Sequence, residues 1–137
     1  MNLTYHKSGH KGFTLVEIMI VVAIIALLAS IAVPNFLRAR KRSQAVRILE
    51  DLRVLDDASD EYAMENNKTS GMHPLFTDLK AYLKTGSILY ATGQDIFGES
   101  YGNAGTFTVD SLPPVPANAW ASLSDVAPQS FWSPYHN

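Results

Sequence analysis

The chain contains no cysteine. That removes any disulfide framework and any thiolate metal site at once. It has only four histidines: His6, His10, His73 and His136. They are too scattered to pair with spaced carboxylates, so no zinc site is legible. No G-x-S-x-G, phosphate loop or HExxH is present, and no residues suggest an enzyme. Internal repeats, low-complexity tracts and a nucleic-acid-binding pattern are also missing.

Charge is locally absent too. The 21 residues Phe13 to Val33 carry a single charge, Glu17. At about 1.5 Å per residue, a helix of that length covers roughly 30 Å, the hydrocarbon thickness of a bilayer. The run is therefore expected to insert in a membrane. A carboxylate at mid-bilayer costs about 2.5–3.5 kcal/mol on insertion scales. Glu17 lies near the end of the run, where that cost falls, or else it needs a cation. A cut after Gly12 would create one, because Phe13 would then carry an α-amino group about 6 Å away along the helix. A carboxylate and an amine from neighbouring copies would neutralise each other in lipid.

Gly12-Phe13-Thr14-Leu15-Val16-Glu17, behind a short basic leader and ahead of an apolar helix, resembles the cleavage and methylation motif of type IV pilins and type II secretion pseudopilins. The resemblance is strong over residues 1–40 and extends more weakly to Asn66. It implies cleavage by a prepilin peptidase after Gly12, methylation of the new terminus at Phe13, and use of Glu17 in filament assembly. It further implies partners: other copies of the chain, minor pilins and the inner membrane. The precursor would lie in the bacterial inner membrane, and the product in a periplasmic pseudopilus or extracellular pilus. Many pilins close their C-terminal region with a disulfide; this chain departs from that pattern. Where family members often have a mid-span glycine, this chain has Ala26.

The expected organisation is a leader at 1–12, a transmembrane and assembly helix at 13–33, and an amphipathic helix with a small C-terminal globular domain at 34–137. Pro34 removes the bond to the Ser30 carbonyl and loosens the helix there, or else ends it. Helical spacing resumes at once, which favours a continuous helix to about Asn66. Ala45, Ile48, Leu49, Leu52, Leu55, Ser59 and Tyr62 recur at steps of three and four and define its buried stripe. Asn66 to Gly71 is a breaker cluster. Thr77 reads as the N-cap of a short helix, Asp78 to Leu83, with Leu75, Phe76, Leu79, Tyr82 and Leu83 packed back on the long helix. Ile88–Ala91, Glu99–Gly102 and Thr106–Val109 read as short strands, the last two joined at Gly102–Gly105. The fold class is thus α+β and pilin-like, a long N-terminal helix packed on a small antiparallel sheet. Residues Ala117 to Val126 suit a short helix, and Trp120, Phe131, Trp132 and Tyr135 are expected to pin a proline-rich tail onto the sheet.

Charge is also segregated. Residues 38–47 hold Arg38, Arg40, Lys41, Arg42 and Arg47 with no acid, whereas from Ile48 onward four basic side chains face twelve acidic ones, a net −8. The collar suits lipid headgroups or the acidic body of a staggered copy. Five Lys and Arg follow the span against two before it, which by the positive-inside rule would place the C-terminal part in the cytoplasm. The family resemblance implies the reverse. Asp95, Asp110 and Asp125, with Glu99 and Asn103 nearby, are oxygen donors that a calcium ion accepts, although their spacing matches no EF-hand. Two alternatives remain. One is a single-pass membrane-anchored periplasmic adaptor or sensor that does not polymerise. The other is an ordinary secreted protein cut near Ser30-Ile31-Ala32.

Overall fold

One helix dominates the chain: α1 (Leu15–Glu65), 51 residues long, which passes through Pro34 without ending. The computed structural model describes residues 12–102 and 107–135; the leader up to Lys11 and the Asn103–Thr106 part of the expected hairpin lie outside them. Between Gly12 and Gly71 the sequence has no glycine and one proline, so little opposes propagation. At the C-terminal end Asn67 adopts a left-handed conformation, φ 50°. The Lys68 N–H then bonds the Ala63 carbonyl at 2.9 Å, the Schellman closure of a helix end. The breaker cluster therefore stops the helix at Glu65, one residue before the expected end.

Packing divides the chain between Leu37 and Arg38. In the first unit the apolar side chains of α1 are exposed on every side. In the second, α1 buries Ala45, Ile48, Leu49, Leu52, Leu55 and Ser59 of the expected stripe, with Ala58 and Ala63 beside them. Tyr62, at its end, is partly buried. Burying a Leu or Ile side chain stabilises the fold by about 1.5–3 kcal/mol, so this stripe organises the unit.

Short elements cover the stripe. These are α2 (Phe76–Leu79) with a 3₁₀ turn at Lys80–Tyr82, α3 (Ile88–Thr92), α4 (Ala117–Leu123) and α5 (Gln129–Trp132). Leu79, Leu83, Leu89, Tyr101, Phe107, Val115, Leu123, Trp132 and Tyr135 join the α1 residues in one core. The tail aromatics thus pack into the helical core instead of onto a sheet, and Trp132 donates its indole N–H to the Ala127 carbonyl at 3.1 Å. Leu75, expected in the core, is half exposed at 48%.

No strand forms among the described residues, so the expected antiparallel sheet is not present there. Its traces are two isolated antiparallel bridges, Gln94 with Ser100 and Thr108 with Ser111. The segments between breakers are too short to pair independently. Ile88–Ala91 is helical, because both ends are capped. The Ser87 hydroxyl accepts the Tyr90 N–H at 3.0 Å, and Gly93 closes the other end in the left-handed region, φ 63°. A Cβ on Gly93 would lie 2.8 Å from the Phe76 ring. The short helix expected to start after Thr77 begins at Phe76 instead, with the Asp78 carboxylate accepting the Leu75 N–H at 2.9 Å.

Candidate functional site

The head of α1 is built by Thr14 and Glu17. The Thr14 hydroxyl accepts the Glu17 backbone N–H at 3.2 Å, while one Glu17 carboxylate oxygen accepts both the Thr14 N–H and the Thr14 hydroxyl at 2.8 Å. This is a capping box, which satisfies two of the N–H groups that a helix start leaves orphaned. Thr14-x-x-Glu17 announces it in the sequence. This local role of Glu17 stands beside the assembly role that the resemblance implies for it. Gly12 and Phe13 precede the helix, both exposed, with Phe13 at 84%.

Behind this cap, the helix is apolar on every side. It is the one helix among the described residues long and apolar enough to cross a membrane, and its most apolar window buries nothing within the chain. Ser30 donates its hydroxyl to the Leu27 carbonyl at 2.6 Å, so the one hydroxyl in the run beyond Thr14 is satisfied internally. Pro34 lies inside the helix and offers no N–H to the Ser30 carbonyl.

The second unit holds two polar features on α1. Lys41 reaches both oxygens of Asp125, at 2.9 and 3.0 Å, and this bond holds the exposed Asp125 carboxyl below the usual carboxylate range. Ten residues along, Tyr101 donates its buried hydroxyl to Asp51 at 3.1 Å. Burial pushes the Asp51 carboxyl above its ordinary value, with the Tyr101 bond and Arg47 opposing. Burial also pushes the Tyr101 hydroxyl up, reinforced by the Asp51 charge.

The residues considered for calcium are spread over these features and do not gather. Asp95 is buried and shapes its own turn, one oxygen accepting the Phe97 and Glu99 N–H groups at 2.8 Å each. Glu99 accepts the Asn118 N–H at 2.8 Å. Asp125 is held by Lys41, and Asp110 is exposed in a left-handed turn, φ 64°. Among the described residues no three His, Asp or Glu side chains form a group that would hold a metal ion. Asn103 lies outside them.

Residues 7–33 match the family model for the prokaryotic N-terminal methylation motif. The chain is 37% identical over 67 residues to type II secretion system core protein G of Pectobacterium carotovorum subsp. carotovorum, covering 47% of this chain and 43% of that protein. It is 39% identical over 70 residues to type IV major pilin protein PilA of Myxococcus xanthus, covering 51% of this chain and 32% of the relative. It is 44% identical over 57 residues to the type IV wide pilus major component PilA4 of Thermus thermophilus, covering 42% and 44%. The match thus spans less than half the length of each of these relatives. No solved structure matches.

Proposed function

We propose, because this chain belongs by its N-terminal methylation motif to the type IV pilin and type II secretion pseudopilin family, that it is a structural subunit of a pilus-like or pseudopilus filament. Prepilin peptidase cuts after Gly12, and Phe13 becomes the methylated terminus. The subunit waits in the inner membrane and leaves it by polymerising with other copies and with minor pilins. It acts as a building block and not as an enzyme.

The observation that carries this reading is the exposure of the first half of α1. Met19, Ile25 and Ile31 are each about 60% exposed, and their neighbours on all sides are similarly bare. Such a surface is stable only when something apolar covers it. Lipid covers it in the precursor, and the same helices from other copies cover it in a filament. Glu17 sets the register, because its charge needs the Phe13 amine of an adjacent copy and a wrong stagger leaves it unpaired. Pro34 spares the helix one backbone bond where the apolar run ends and supplies local adjustment during packing.

Intact mass and N-terminal sequencing of the protein from its native membrane test this directly. The expected result is Phe13 as terminus with one added methyl group. An intact Met1 in cells with an active prepilin peptidase would indicate a membrane-anchored domain that does not polymerise. A terminus near Val33 would indicate an ordinary secreted protein.

A further inference from the structure

A cleft beside α1, of about 310 Å³, is lined by Arg47, Asp51, Ile88, Gln94, Asp95 and Ile96. Two of its walls are carboxylates, and neither is paired with a cation within hydrogen-bonding distance. Asp95 is only 7% exposed; its Oδ1 serves the Phe97 and Glu99 N–H groups, and its Oδ2 is buried with no partner. Asp51 accepts the Tyr101 hydroxyl on Oδ2. Among the described residues the one ion pair is Lys41 with Asp125; Arg47 acts on Asp51 by its charge without pairing with it, so two cleft acids face one cleft cation. Buried or half-buried carboxylates left this way are costly, and a cation brought to them is correspondingly favoured. Ile88 and Ile96 give the cleft apolar sides of the kind along which an arginine's methylene stem lies.

The same helix carries a suitable cation on its other side. Arg42 is exposed, lines a shallow groove with Arg38, Ala39 and Val126, and has no acidic partner among the described residues. Asp51 follows Arg42 by nine residues, about two and a half turns at 3.6 residues per turn, so the two lie on opposite faces of α1. A donor on one face and an acceptor on the opposite face join identical copies head to tail. Contacts of that kind repeat along a filament and do not close into a two-fold dimer. Arginine also suits the acceptor chemically, since its planar fork matches a carboxylate.

We propose that the cleft is the docking site for the Arg42 side chain of a second copy of this chain, its stem between Ile88 and Ile96 and its guanidinium on Asp51, where its charge also offsets Asp95. The inference rests on the filament-subunit reading and adds a second, water-exposed contact to the one at Glu17.

The lack of cysteine makes the test clean. A double variant, Ala39→Cys with Gln94→Cys, places one thiol beside the Arg42 groove and one at the cleft mouth without touching any charge. Filaments sheared from cells and treated with a short bis-maleimide are expected to give a ladder of covalent multimers, and either single variant only monomer. Adding Arg42→Gln, or Asp51→Asn with its fold checked by circular dichroism, is expected to reduce the ladder at least fivefold. Filaments that form normally without a ladder would overturn the docking site, as would a ladder indifferent to Arg42→Gln and Asp51→Asn. If the unsubstituted chain makes no filaments by electron microscopy, the subunit reading itself falls, and the docking site with it.

Discussion

Glu17 and Thr14 hold each other at both ends, the Glu17 carboxylate on the Thr14 N–H at 2.8 Å and the Thr14 hydroxyl on the Glu17 N–H at 3.2 Å. The carboxylate therefore has a local duty at the start of α1 as well as the assembly duty proposed for it. In the uncut chain it is already engaged by neutral donors, which eases its stay at the membrane interface. A cut after Gly12 leaves this box intact and adds a cation beside it.

The two duties separate in Glu17→Gln. Glutamine still accepts the Thr14 N–H, so the capping box survives while the charge is lost. Glu17→Gln is expected to insert and be processed normally yet give no filaments. Glu17→Ala loses both duties, with about 0.5–2 kcal/mol of helix-cap stability as the local part. Terminal mass and filament yield, measured on the same cells, distinguish the outcomes. Abundant filaments from Glu17→Gln would show that the cap alone matters.

Tyr101→Phe removes the hydroxyl that serves Asp51 and is expected to destabilise the second unit by about 1.5–2 kcal/mol, the lower part of the range for a bond to a charged acceptor. The pH dependence has a definite sign. The folded-state phenol titrates above its ordinary 10.0, so its contribution is whole below that value and is lost as pH rises past it. Asp51 is also raised, from 3.8, so stability declines as pH climbs through its folded value. Urea unfolding followed by tryptophan fluorescence should show Tyr101→Phe losing the alkaline limb and Asp51→Asn flattening the acidic one.

Lys41→Ala should matter little to folding. Its ion pair with Asp125 joins residues 84 apart, but both side chains are about half exposed, at 42% and 52%. Such pairs contribute about 0–1 kcal/mol and weaken with salt. A melting-temperature loss above a few degrees, or one unaffected by 0.5 M salt (~4 Å Debye length), would assign the pair a larger role.

Ser59→Ala is expected to stabilise. The Ser59 side chain is buried on the core stripe of α1, and its hydroxyl has no partner among the described residues. Alanine removes that desolvated group and is a better helix former, a gain of about 0.5–2 kcal/mol. A lower urea midpoint for Ser59→Ala would mean that the hydroxyl is bonded after all.

The long helix was readable because two independent signals coincide in it. An unbroken apolar run leads into a stripe at steps of three and four, and Ile48, Leu52 and Leu55 are fully buried where that stripe placed them. Beyond Gly71 the segments are too short for a period to declare itself. Ile88-Leu89-Tyr90-Ala91 has strand-like composition, yet Ser87 and Gly93 cap it as one helical turn. Those caps were present in the sequence, as was Thr14-x-x-Glu17, and they outweigh composition in segments this short. In the sequence Asp95 shows only its oxygens. Its burial and its bonds to Phe97 and Glu99 depend on tertiary packing that no local pattern encodes.

Trp132 and Tyr135 complete a core that begins at Ala45. Until residues 127–135 have been synthesised, the α1 stripe has Leu79, Leu83, Leu89, Tyr101, Phe107, Val115 and Leu123 to pack on, but the core stays incomplete. If the apolar run engages a membrane as soon as it emerges, the stretch behind it is at that moment still without its last core residues. The unit closes only once Trp132 and Tyr135 are in place, so part of the amphipathic stripe of α1 stays uncovered until the last residues of the core arrive.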